Sequence, residues 1–254
     1  MLLAEIQYKI QNAKQLDFGK IFNESIELYK KVWSQGLVMV LLMMAFVIAF
    51  AFVIYIPLMV FGVLGETNPS MLDGVAPLLL LVIILMYLLF IVTLMVVTLG
   101  MKAAFFRIMF QHDMNIIGKD DYFYFLKRPY LGKTIALAFA NFGITLLAIL
   151  LCYLPVFYVV VPMNLLVVIY AFNPDLTVSS LVKLSFELGN KKWFLTFGLM
   201  FVAGFLAQAV GMLMCFIGIF ATMSFVSVPL YFIYKHVVGF DQSEIFEIEE
   251  NSKL

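Results

Sequence analysis

Charge, cysteine and histidine are all scarce in this chain, and each shortage removes a class of function. Asp, Glu, Lys and Arg together make up 13% of the residues, and sixteen basic side chains balance sixteen acidic ones. A soluble domain carries about 25% charged residues, and a nucleic-acid partner calls for a basic face. Neither a soluble fold nor nucleic-acid binding is expected. The two cysteines, Cys152 and Cys215, both lie inside apolar runs. That argues against a disulfide-stapled scaffold and a cysteine-rich metal site, and both thiols are expected to be reduced. The two histidines, His112 and His236, are too few to surround iron in an oxygenase or desaturase. His112 with Asp113, and Asp120 with Asp121, read as solvated loop rather than as a cation site. No Gly-rich phosphate loop, nucleophile elbow or zinc-binding helix motif occurs. No enzyme activity and no cofactor are therefore expected. No cleavable leader is expected either, because residues 1–36 are mixed polar and apolar, so the first span should act as its own insertion signal.

What the chain has in excess is apolar surface: 64% of its 254 residues are hydrophobic, and mean hydropathy is +1.05. Four long apolar stretches stand out, at residues 37–64, 77–99, 135–172 and 194–234. A span needs about 20 residues, since the hydrocarbon core is about 30 Å thick and a helix rises about 1.5 Å per residue. The first two stretches fit one span each. The third and fourth are too long for one crossing, so each should fold as a hairpin, turning near Leu154-Pro155 and near residues 215–218. The fold class expected is all-α integral membrane with six transmembrane helices. Its organisation is one membrane domain: an N-terminal segment (1–36), a six-span bundle (37–235) and a tail (236–254) that is acidic at 241–250. Under this reading all sixteen Lys and Arg residues fall on one side, with Lys102 and Arg107 in the loop between spans two and three. The positive-inside rule then places both termini in the cytoplasm and the protein in the cytoplasmic (inner) membrane.

Residues 18–33 have a helical period, with Phe18, Ile21, Phe22, Ser25, Tyr29, Val32 and Trp33 on one face and Lys20, Glu24, Glu27 and Lys31 on the other. The pattern reads as an amphipathic helix lying in the membrane interface. Ser25, Glu27, Leu28, Lys31 and Trp33 align without gaps on Ser185, Glu187, Leu188, Lys191 and Trp193. Each segment precedes a hairpin, and residues 120–133 could be a degenerate middle copy. Amphipathic interfacial helices are thus expected before spans 1, 3 and 5, as a threefold repeat. Each of the first and last copies should bend sharply into its span. In both, the serine should face the bundle, the tryptophan should lie at headgroup depth, and the glutamate should pair with the lysine four residues on. Inside the apolar stretches the polar residues are Asn141, Thr145, Asn164, Gln208, Thr222, Ser224 and Ser227, which read as interhelical hydrogen-bonding groups before they read as a polar path.

The pattern Leu-Asp-Phe-Gly-Lys-Ile-Phe at residues 16–22, with Leu-Tyr-Lys-Lys at 28–31, resembles the opening of membrane domains attached to glycerophosphodiester phosphodiesterases and of YciC-like bacterial membrane proteins. So does Leu-Pro-Val-Phe-Tyr at 154–158, followed by Pro162, Ser185 and Trp193. The resemblance implies a six-span fold and a membrane location, without the catalytic barrel that carries the activity in the phosphodiesterases. The function expected is a non-enzymatic membrane protein of membrane organisation, homeostasis or support of a membrane complex. Its partners are the lipid bilayer and, second to it, other membrane proteins. The alternative is a transporter or flippase for a small or lipid-like solute.

Overall fold

The structure is a computed structural model and describes residues 3–67, 69–116, 118–151, 154–214 and 217–241. Cys152, Cys215 and residues 242–250 of the acidic tail lie outside these. The described residues form helices, with no strand among them: α1 (Leu3–Gln11), α2 (Phe18–Thr67), α3 (Pro69–Asp113), α4 (Leu131–Leu150), α5 (Leu154–Phe172), α6 (Val178–Lys191), α7 (Trp193–Leu213), α8 (Ile217–Thr222) and α9 (Val228–Val237). Six stretches are long and apolar enough to cross a membrane: Phe18–Val63, Pro77–Asp113, Leu131–Leu150, Leu154–Phe172, Trp193–Leu213 and Gly218–Val237. The turns that split the two long runs fall beside Pro155 and near Gly218, as their sequence implies. Pro155 sits in the first turn of α5, where its missing N–H removes no helical bond.

Contacts across the helix ends define one side of the bundle, called basal below. The end of α3 meets the end of α9, where Asp113 Oδ2 accepts from Tyr231 Oη at 2.6 Å and from Lys235. The start of α2 meets the end of α9 through Glu24 and His236 at 2.6 Å. The start of α4 meets the end of α5, where Lys133 Nζ donates to the Pro174 carbonyl. A cluster of rings seals this side: Phe172 lies 5.8 Å from Phe110, 6.2 Å from Tyr231, 5.2 Å from Tyr234 and 4.7 Å from Phe240 between ring centres. The central helix is α5. Val161 to Phe172 are all buried except Asn164, which is why this stretch is apolar all round instead of on one stripe.

Three expectations are corrected. Residues 18–33 do not bend into the first span, because α2 runs unbroken for 50 residues, about 75 Å at the helical rise. Nothing between Phe18 and Pro57 interrupts the backbone hydrogen bonds, and a single glycine in a helix costs only about 1 kcal/mol. The segment before the third span is not an amphipathic helix. It is a chain of turns around a 3₁₀ turn, Tyr124–Leu126, opened by the Asp121 carboxylate accepting from the Phe123 N–H at 3.1 Å. A side chain capping its own backbone two residues on competes with helix formation. Thirdly, Lys102 and Arg107 are not loop residues, since α3 continues through both to Asp113. The helix before the fifth span does exist: α6 starts at a Thr177 cap and ends at Lys192, whose φ of −123° and ψ of 23° break it from α7. Its buried face (Leu181, Leu184, Ser185, Leu188) packs on α5 and on α1, a helix absent from the sequence reading.

Close approach of α7 and α8 depends on Gly211. A Cβ built there would stand 2.7 Å from the Ile219 Cα and 2.8 Å from its backbone nitrogen, whereas one on Gly62 would meet nothing within 4 Å. Gly211→Ala should therefore lower the thermal unfolding midpoint in detergent through a strain of about 1–3 kcal/mol. Gly62→Ala should leave the midpoint level or raise it slightly. Equal midpoints would remove the packing argument.

Candidate functional site

The residues singled out by the internal match occupy two different environments. Ser25 and Ser185 are both fully buried, and each donates to its own helix, to the Ile21 and Val182 carbonyls at 2.7 Å. The glutamates do not pair as the spacing implies. Glu27 binds Lys30 at 2.6 Å instead of Lys31, and Glu187 accepts from Gln7 Nε2 at 2.8 Å with Lys183 at 4.0 Å. Lys191 donates to the Gln11 carbonyl at 2.9 Å, and Lys192 reaches the carbonyls of Ala13 and Lys14. Two ammonium groups thus meet the last carbonyl of α1 and those of Ala13 and Lys14 just beyond it, where helix carbonyls lack partners and the dipole favours cations. Burial first, then neighbouring Lys191, holds the Lys192 ammonium below the ordinary lysine pKa. Trp33 is 49% exposed, whereas Trp193 stacks on Phe197 at 4.9 Å and donates to the Tyr158 carbonyl at 3.1 Å. The copies share a buried serine and no common site, so they are not equivalent places in the fold.

The chemistry lies elsewhere, in a cavity of about 480 Å³ between α3, α4 and α5. Each helix contributes a stripe at helical spacing. From α3 come Leu94, Met95, Thr98, Leu99 and Lys102; from α4, Ala138, Asn141, Phe142 and Thr145; from α5, Val156, Val159, Val160, Met163, Asn164 and Val167. Phe142 is 46% exposed and stands at the rim. One helical turn basal to the wall residues Ala138 and Val167 lies a hydrogen-bonded knot on Thr134. Its hydroxyl bonds the Phe125 carbonyl at 2.8 Å, the Tyr130 carbonyl at 3.1 Å and the Tyr170 hydroxyl at 2.8 Å. Gly100 sits against Leu126 and Thr134, which places Lys102, two residues on, at the basal end of the wall. The turn beside it is held by Tyr122, which donates to the Gln35 carbonyl at 3.1 Å. Burial, then the Asp120 charge, raises the Tyr122 phenol above its ordinary value.

Among the described residues Lys102 is the one formal charge on the cavity wall, and none that lines it is acidic. Among the described residues its ammonium makes no hydrogen bond or ion pair, whereas Lys133, Lys191, Lys192 and Lys235 all find oxygen partners. Thr145 donates to Asn141 Oδ1 at 3.4 Å and the Asn164 amide donates to the Val160 carbonyl at 2.8 Å, so the asparagines are held by their own helices. A cation in an apolar setting is costly unless something compensates it. Asn141, Thr145 and Asn164 were visible in the sequence, but Thr98 was not singled out, and Lys102 was hidden by being counted with the loop charges. The signal that finds it is its place four residues after Thr98 and eight after Leu94, on the stripe that α3 turns to α4 and α5. No protein-family model, curated protein or solved structure matches the chain.

Proposed function

We propose that this chain is a non-enzymatic protein of the cytoplasmic membrane, with both termini in the cytoplasm, and that it acts on the lipid phase by lodging a lipid-like molecule between α3, α4 and α5. The observation that carries the reading is the cavity itself: about 480 Å³, walled mostly by apolar side chains and bordered by exposed Phe142. Its size falls in the range of about 300–1,000 Å³ common for small-molecule sites. The position of the basic residues supports the orientation, because Lys20, Lys30, Lys133, Lys191 and Lys235 all belong to elements that meet at the basal side. Membrane organisation or homeostasis is the role that fits such a site, with the bilayer as the primary partner and other membrane proteins as secondary ones.

The transporter or flippase reading has one feature in its favour, the polar groups on all three cavity helices. Along α3 the wall extends from Leu94 to Lys102, about 12 Å of helix against a core of about 30 Å. Such a cavity reaches part of the way through, which suits holding a lipid better than passing one. Native mass spectrometry of the protein released from lipid nanodiscs tests the reading. The wild type should carry one lipid mass, and Val160→Trp, which fills the wall, should lose it. A bare wild type, or an adduct equally retained by Val160→Trp, would contradict it.

A further inference from the structure

We propose that the cavity selects an anionic amphiphile, whose acidic head group pairs with Lys102 and whose single acyl chain lies along the wall towards Leu94 and Val156. The inference rests on the reading of the cavity as a lipid site and adds the ligand's chemical class and orientation. Three observations carry it.

The first is charge: among the described residues Lys102 is the only charged one on the wall, and none of them partners it. An anion entering here meets a cation that no other described group has neutralised. A zwitterionic head group would bring a second charge, positive, to a wall without a carboxylate. A neutral lipid would leave the ammonium as costly as before. The second is direction. A helical side chain leans towards the N-terminus of its helix, so Lys102, the most basal wall residue of α3, leans along α3 into the cavity. An anion bound there sits at the basal end, with its chain running towards the end at which α3 contributes Leu94 and α5 contributes Val156. The third is volume. A methylene fills about the space of a water molecule, ~30 Å³, so the 480 Å³ cavity holds about sixteen of them. That is one acyl chain. A carboxylate of a free fatty acid and the phosphate of an anionic phospholipid with one chain inserted share this chemistry.

The full-length protein would be reconstituted in phosphatidylcholine vesicles, alone or with a minor fraction of either oleic acid or phosphatidylglycerol. It would then be extracted, and the retained lipid quantified by mass spectrometry. Wild type should enrich the anionic component about tenfold over its share of the vesicle, the size of one charge-assisted hydrogen bond. The arm showing the enrichment identifies the source. Lys102→Gln should abolish the enrichment while still retaining phosphatidylcholine, and Lys102→Arg should keep it. In lipid-free detergent Lys102→Met should raise the thermal midpoint, because it removes an uncompensated cation; this readout also shows that the variant folds. Enrichment unchanged in Lys102→Gln, or wild type retaining phosphatidylcholine as readily as the anions, overturns the selection while leaving the lipid site standing. Retention of no lipid in any vesicle overturns the lipid site and the inference with it.

Discussion

Phe172→Ala should cost about 3–5 kcal/mol, the usual loss for truncating a buried aromatic ring, and lower the thermal unfolding midpoint in detergent by far more than any lipid-facing substitution. Phe172 is 2% exposed and touches rings from three other parts of the chain: Phe110 on α3, Tyr231 and Tyr234 on α9, and Phe240 beyond α9. Truncation opens a void at the point where the ends of α3, α5 and α9 are joined. The neighbouring polar ties then lose their support: Asn173 Nδ2 to Tyr234 Oη at 2.7 Å, and Tyr231 Oη to Asp113 at 2.6 Å. Phe205→Ala is the control, since that ring is 67% exposed and lies outside the buried core. Its effect should stay within about 0.5 kcal/mol. Matching midpoints for the two variants would mean that the basal ring cluster does not hold the bundle together.

The second large effect is all-or-none. In a variant without Cys152 and Cys215, Ser70→Cys should react in intact cells with a membrane-impermeant maleimide, and Lys119→Cys should react only after the membrane is opened. Ser70 lies at the start of α3 and Lys119 follows its end, so α3 separates them. The direction follows from the basic residues, because lysine and arginine flanking a span are retained on the cytoplasmic side. The reverse pattern would turn the whole orientation over, and labelling of both sites in intact cells would mean that α3 does not cross.

The spans were legible because lipid imposes a blunt requirement: long uninterrupted apolar runs, with proline or glycine where a run must turn. Residues 154–155 illustrate it. Local pattern was less informative where tertiary contacts decide. The face of residues 18–33 is real, with Ile21, Ser25, Leu28 and Val32 buried. The period alone, however, does not say whether the helix stops or continues into α2. The aromatic run Tyr122-Phe123-Tyr124-Phe125 reads equally well as helix or turn. What fixes it as turn is Asp121 below it and Arg107, whose guanidinium lies 4.1 Å from the centre of the Tyr124 ring. Lys102 was missed for a related reason. Counting a lysine with the loop charges assumes that a charge ends a span, whereas here Ala103, Ala104, Phe105 and Phe106 continue the buried helix beyond it.

Most direct for the lipid-lodging cavity is photolabelling with a fatty acid that carries a diazirine on its chain, followed by peptide mapping of the adducts. Adducts concentrated on the cavity stripes, around Met95, Phe142, Val160 and Met163, are the predicted result. Adducts spread over α7 at Phe201 and Phe205 in proportion to their exposure, with the cavity stripes no richer, would contradict it.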